Sequence, residues 1–171
     1  MSVPDRSFTE YPPATYDGES GEASALIRRA DAEPEVQYRT GGTASYLATN
    51  VTTNNQFGLY RWDFGDRVSG PDPHFHRTIS ESFFVLSGAV QLYDGHDWVR
   101  ATPGDFMFVP EGGILGFRNE LTDERASMLL LFAPGAPREG YFETLKRFGE
   151  GLTMTDAERD AFYTAHDNVW L

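Results

Sequence analysis

The sequence predicts a small antiparallel β-barrel followed by two helices. Between residues 36 and 133, short runs of β-branched and aromatic residues recur at near-regular spacing, and Gly, Pro, Asn and Asp punctuate them. Runs of that length with turn residues between them indicate a sandwich or a barrel. Many of the runs carry Phe, and closing the sheet on itself spares such apolar strands an exposed edge. After Pro134 the apolar period lengthens to that of a helix.

Taken in order, residues 1–35 read as an N-terminal arm. Pro4, Pro12, Pro13 and Gly18 keep its first part extended. Residues 21–32 have fair helical propensity and a narrow apolar face, which predicts one short helix. The barrel is expected over 36–133. Val36–Arg39 and Ala44–Thr49 alternate as strands, a polar turn follows at 52–56, and Phe57–Phe64 is aromatic and extended. Phe83–Tyr93 spans two strands. Asp94-Gly95 predicts a two-residue type I′ hairpin, because that turn needs positive φ at both positions. His96–Arg100 alternates as the return strand, Pro103-Gly104 is a turn and Phe106–Val109 a short buried run. Leu115–Asn119 continues as a strand, residues 120–125 form a polar hairpin loop, and Ala126–Phe132 is an apolar strand. Residues 134–171 form a C-terminal helical extension. Tyr141, Phe142, Leu145 and Phe148 share a helical face within 138–149, and Thr155-Asp-Ala-Glu158 is a capping box that opens a second helix to about residue 166. No chemistry is assigned to this extension.

The composition narrows the class. A chain of 171 residues fits one domain. It has no run of 18 apolar residues that would cross a membrane, and its first residues lack the apolar centre of a signal peptide. It has no Cys, which fits a cytoplasmic protein. The net charge of −12 repels phosphate backbones and anionic lipids, so neither nucleic acid nor membrane is an expected partner. A small molecule is.

The chemistry gathers at Gly70–Gly88. His74 and His76 are two apart, and residues i and i+2 of a strand face the same side. Glu81 follows five residues later at the head of an apolar run. Two imidazole nitrogens and one carboxylate suit a divalent transition metal with positions left open. Leu115, Phe117 and Asn119 share strand parity, as do Glu81, Phe83 and Val85. His96 sits at a hairpin tip and His166 near the C-terminus, and neither is an expected ligand. Arg61 and Gln91 fall on barrel strands in a register that the sequence leaves open.

The spacing Gly, His-x-His, four residues, Glu, six residues, Gly resembles the first motif of the cupin superfamily, with His74, His76, Glu81 and Gly88 at the matching positions. Gly70 lies two residues nearer the first His than the family's usual Gly. Pro103-Gly104 through Asn119 resembles the second motif, and Gly95 stands ahead of it. One position departs: Leu115 stands where the family usually has its fourth ligand, a His. The resemblance implies an all-β, antiparallel jelly-roll barrel with C-terminal helices, usually a homodimer. It implies iron, manganese, nickel or zinc held by His74, His76 and Glu81, with a site depleted or emptied of metal by Leu115. It further implies an enzyme on a small, aromatic or polyketide-like molecule, with dioxygenase chemistry favoured and Phe83, Leu115 and Phe117 against the substrate. The alternative is a non-catalytic or metal-free binder, or a cyclase or isomerase in which Glu81 and the His pair act as base and acid.

Overall fold

The computed structural model describes residues 11–171. They belong to two units, one ending at Ala30 and the other running from Asp31 to Leu171. In the first, residues 11–30 form no helix or strand and nearly all are exposed. The first ten residues of the expected arm lie outside the described residues. The helix expected over 21–32 does not form. Leu26 and Ile27 are exposed, and a segment this short does not hold a helix without a packed apolar face.

The second unit holds β1 (Val36–Gln37), β2 (Thr43–Ala48), β3 (Gly58–Asp63), β4 (His74–Phe75), β5 (Ser80–Ser87), β6 (Val90–Tyr93), β7 (Trp98–Ala101), β8 (Phe106–Val109), β9 (Gly116–Asn119) and β10 (Ser127–Ala133). Two helices follow, α1 (Glu139–Gly149) and α2 (Asp156–Ala165), and then a short strand β11 (Val169–Trp170) that the sequence reading did not foresee. Every strand pairing is antiparallel. One sheet runs β1-β2-β3-β10-β5-β8, a second β7-β6-β9, and β11 pairs with β4 alone. A bridge between His74 and Leu115 ties β4 to the strand that leads into β9. Strands distant in sequence are thus neighbours in space, as in a jelly-roll barrel.

The barrel is filled from alternate positions. Along β10, Met128, Leu130 and Phe132 point inward and are fully buried between β3 and β5. Tyr60, Phe64, Phe83 and Val85 meet them from the neighbouring strands. Helix α1 closes one side by placing Phe142 against Tyr60 and Trp62, with ring centroids 5.1 and 5.6 Å apart. Helix α2 opens on the predicted capping box: Thr155 N–H donates to Glu158 Oε2 at 2.8 Å, and Glu158 N–H returns to Thr155 Oγ1 at 3.3 Å. None of the helices is long and apolar enough to cross a membrane, among the described residues.

Three local expectations are corrected. The β6–β7 hairpin closes on Tyr93 and Trp98, so its loop is Asp94–Asp97 rather than two residues. Asp94 Oδ1 accepts from the N–H groups of His96 and Asp97, both at 2.8 Å, and this side-chain turn replaces the type I′ geometry. Only Gly95 has positive φ there. Residues 120–125 do not form a hairpin loop, because they carry the chain from β9 in one sheet to β10 in the other. The run Phe106–Val109 is not buried throughout: β8 is a sheet edge, and Phe106 and Phe108 are 63% and 58% exposed on its outer face.

Gly88 turns β5 into β6 with φ of +62°, and a Cβ built on it lies 2.7 Å from the Ala126 backbone. Left-handed backbone costs a residue with a Cβ about 1–2 kcal/mol before any clash. Gly88→Ala is therefore expected to lower the thermal midpoint clearly more than Gly104→Ala, whose φ is +95° but whose Cβ meets nothing within 4 Å. Calorimetry of both variants checks this, and equal losses would mean that the contact with Ala126 relaxes freely.

Candidate metal centre and cavity

The strand pairings bring the predicted ligands together. His74 lies in β4, His76 just beyond it, and Glu81 is the second residue of β5. All three are buried, and each offers a ligand atom within 4.8 Å of the others.

The hydrogen bonds define what these atoms can do. His74 Nδ1 lies 2.9 Å from the Asp72 carbonyl and His76 Nδ1 lies 2.6 Å from the Asp167 carbonyl. A carbonyl oxygen only accepts, so both Nδ1 atoms carry the hydrogen, and in the neutral ring the Nε2 lone pair is left free. His76 Nε2 lies 3.1 Å from Glu81 Oε2. With the imidazole neutral and the carboxylate ionised, that contact sets acceptor against acceptor. It requires an added proton or a shared cation. Burial pushes the His74 imidazole below its ordinary pKa against the opposing pull of Glu81, which favours the neutral, ligating form. Two tautomer-fixed imidazoles and a carboxylate are the donor set of a divalent transition metal.

The chain after α2, to which the sequence assigns no chemistry, carries part of the site. Asp167 adopts φ of +55°. Its carbonyl takes the His76 proton, while its carboxylate accepts from Arg77 N–H at 2.9 Å and from Thr78 N–H and Oγ1–H at 2.8 and 2.7 Å. Burial works to raise the Asp167 carboxyl, but these donors hold it below the ordinary carboxylate range. Trp170, paired with His74 across β4–β11, packs against that imidazole with ring centroids 4.8 Å apart and planes tilted by 41°. No sequence pattern links Asp167 to His76, 91 positions earlier.

Leu115 sits directly opposite His74. The two exchange backbone hydrogen bonds, His74 N–H to Leu115 O at 2.9 Å and Leu115 N–H to His74 O at 2.8 Å. Residues opposed in an antiparallel pair present their side chains to the same face. Two residues on from Phe117, Asn119 holds the approach to the centre: its Oδ1 accepts from Ser69 N–H at 2.8 Å and its Nδ2 donates to Arg67 O at 3.2 Å. Gly70 follows, where a Cβ would lie 1.8 Å from the Phe117 carbonyl, so only Gly lets this segment cross β9.

A cavity of about 850 Å³ opens beside the centre, with His74 and Glu81 in its wall. That is within the usual range for small-molecule sites. Phe117 lines it, Phe83 packs against Phe117 with ring centroids 5.6 Å apart and is not in the lining, and Leu115 is core. Val85 is core too. Trp62, Phe132, Phe142 and Trp170 supply the aromatic wall instead. Arg61 faces outward onto Asp63, and Gln91 bonds Glu120, so neither reaches the cavity. His96 is exposed at its hairpin tip, and His166 caps α2 with Nδ1–H donated to Phe162 O.

The extension also places Arg138, Tyr141 and Asn168 in the cavity wall. Burial raises the Tyr141 phenol far above neutrality, so it stays protonated. Asn168 Nδ2–H donates to its oxygen at 3.3 Å, and Asn168 Oδ1 accepts from both Arg138 Nη atoms at 3.1 Å. In the sequence these are a lone Arg after a Pro, a helical Tyr and a terminal Asn, and nothing in their spacing ties them to one another.

Residues 61–132 match the family model described as the Cupin domain. The quercetin 2,3-dioxygenase of Bacillus subtilis (strain 168) is 28% identical over 101 residues, which is 58% of this chain and 28% of that protein. The chain spans half or less of the length of the curated relatives it matches. Among solved structures, KdgF from Halomonas sp. superposes with a TM-score of 0.55 at 18% identity, covering 66% of this chain and 94% of that one. The polyketide cyclase RemF from Streptomyces resistomycificus superposes with a TM-score of 0.51 at 21% identity, covering 64% of this chain and 78% of its own. These likenesses support the fold.

The position of Leu115 yields a direct test. Leu115→His puts an imidazole on the face of His74 and is expected to raise zinc or nickel affinity at least about tenfold, the scale on which even outer-shell groups act. Isothermal titration of both proteins reads this. Equal affinity in a folded variant would show that position 115 does not reach the centre.

Proposed function

We propose that this chain, a member of the cupin superfamily, is a metal-dependent enzyme acting on a small aromatic or polyketide-like molecule, with dioxygenase chemistry as the leading reaction. One observation carries the metal reading: His76 Nε2 meets the Glu81 carboxylate at 3.1 Å while its Nδ1 hydrogen is given to Asp167. A cation between them, with His74 as third ligand, removes the conflict between acceptors.

When bound, iron, manganese or nickel would supply redox chemistry towards O2, and zinc a water of lowered pKa. The chain's own residues do the rest. The Asp72 and Asp167 carbonyls hold the imidazoles in one tautomer, and Trp170 fixes the His74 ring. The aromatic wall excludes water and grips a flat substrate. The Tyr141 phenol is a hydrogen-bond donor at every physiological pH.

The second reading, a metal-free binder or a cyclase or isomerase working through Glu81 and the histidines, is favoured by the placement of Leu115 opposite His74. Metal analysis of the purified protein separates the two. Glu81→Gln is nearly isosteric and lacks the charge. It is expected to leave the circular dichroism spectrum unchanged and to weaken metal binding about tenfold or more. Metal affinity equal to wild type would remove Glu81 from the ligand set.

A homodimer in the cytoplasm completes the proposal. Phe106 and Phe108 on the open edge strand β8, with Phe84 of β5 opposite Phe106, make an exposed apolar strip suited to a second copy. Light scattering should give twice the chain mass, falling to one in a Phe106→Ser, Phe108→Ser double variant. A wild-type monomer at high concentration would refute this.

A further inference from the structure

The cavity wall contains a cation that the metal centre does not explain. Arg138, immediately before α1, is only 4% exposed. Its Nη1 donates to His166 O at 2.6 Å, and both Nη atoms donate to Asn168 Oδ1 at 3.1 Å. These acceptors are neutral. Among the described residues no carboxylate lies within ion-pair distance of it. Its guanidinium lies over two rings, 4.4 Å from the Tyr141 centroid and 5.0 Å from that of Phe132. Its Nε–H is buried without a partner among the described residues, and so is the indole N–H of Trp170, which lines the same cavity.

A buried charge without a bonded counter-charge is costly, and a buried donor without an acceptor adds to the cost. Stability alone gives no reason to keep an Arg there: stacking and two neutral acceptors are poor compensation for lost hydration. The rest of the wall points the same way. It carries five cationic side chains against three carboxylates, in a chain whose net charge is −12. At the rim Lys146 and Arg159 have Glu150 and Asp156 as partners, and Asp63 has Arg61. Arg138 is the deep cation left over.

We infer that the cavity takes an organic anion, a carboxylate on a flat aromatic body, and that Arg138 is the binding residue for the carboxylate. The ring lies among Trp62, Phe117, Phe142 and Trp170. The carboxylate supplies the missing charge to the guanidinium. Arginine suits this task because its planar fork matches a carboxylate. The inference rests on reading the cavity as the substrate site, but not on a metal.

The test therefore uses metal-free protein, prepared with chelator, and two nearly isosteric probes, 2-naphthoate and neutral 2-naphthamide. Isothermal titration of the wild type is expected to show naphthoate binding at least about tenfold tighter, as a desolvated charge pair requires. Arg138→Lys should keep part of that preference and Arg138→Gln should abolish it. Equal affinity for both probes in the wild type, or no naphthoate binding at millimolar concentration, overturns the inference without recourse to a variant. So does a folded Arg138→Gln protein that still prefers the acid. If Arg138→Gln does not fold, the wild-type comparison and Arg138→Lys decide. Naphthoate binding in a protein that takes up no metal would keep this inference and remove the metalloenzyme reading; metal uptake without acid preference would do the reverse.

Discussion

Two backbone carbonyls, those of Asp72 and Asp167, determine what the centre can bind. Each takes the Nδ1 hydrogen of one histidine, at 2.9 and 2.6 Å. A free imidazole chooses between tautomers; these two do not. With Nδ1 of both rings committed, Nε2 of His76 faces Glu81 at 3.1 Å, and with the imidazole neutral and the carboxylate ionised the buried cluster has no internal donor. That arrangement is unfavourable in a low-dielectric interior unless something positive completes it. The barrel therefore carries the preorganisation: the β4–β11 pairing and the Leu115 bridge hold the rings before any ligand arrives.

Arg138 extends the same logic across the cavity. Glu81 stabilises its charge and is among the forces opposing the desolvation that lowers its pKa. Glu81 and the buried cation thus attract one another through space without forming an ion pair, and desolvation of Arg138 still outweighs that attraction. A cation at the centre would cancel Glu81 and leave Arg138 uncompensated. Were a metal to fill the centre and an anion to enter the cavity, the two events would be linked by charge, the second becoming more favourable once the first is done.

The fold and the core of the centre were legible in the sequence because they are local. His74, His76 and Glu81 lie within eight positions, and strand periodicity alone puts the pair on one face. The same periodicity gave the inward parity of Phe117 and Asn119, and the capping box of α2 is a four-residue pattern. What escaped depends on chain closure. Asp167, Asn168 and Trp170 reach the centre only because β11 returns to β4, and two residues of strand leave no periodic trace. Phe83 illustrates a different limit: parity predicts the side of a sheet, but another side chain, Phe117, stands between it and the cavity. The helix expected at 21–32 failed for want of a partner surface, which propensity does not see.

The pairing of β11 with β4 also sets an order of events during synthesis. A nascent chain can close β3, β10 and β5 as soon as Ala133 is free of the ribosome, and the barrel then has most of its core. His76 at that stage has no carbonyl to take its proton, and the Arg77–Thr78 turn has no carboxylate to bind it. Both arrive with Asp167, more than thirty residues later. Domains fold as units, and in this one the centre is complete only when the last residues of the unit have joined the barrel. A cation that met the chain before that point would find the histidine pair without the Asp167 carbonyl that orients His76, so any selection among metals would be deferred until the chain has turned back on itself.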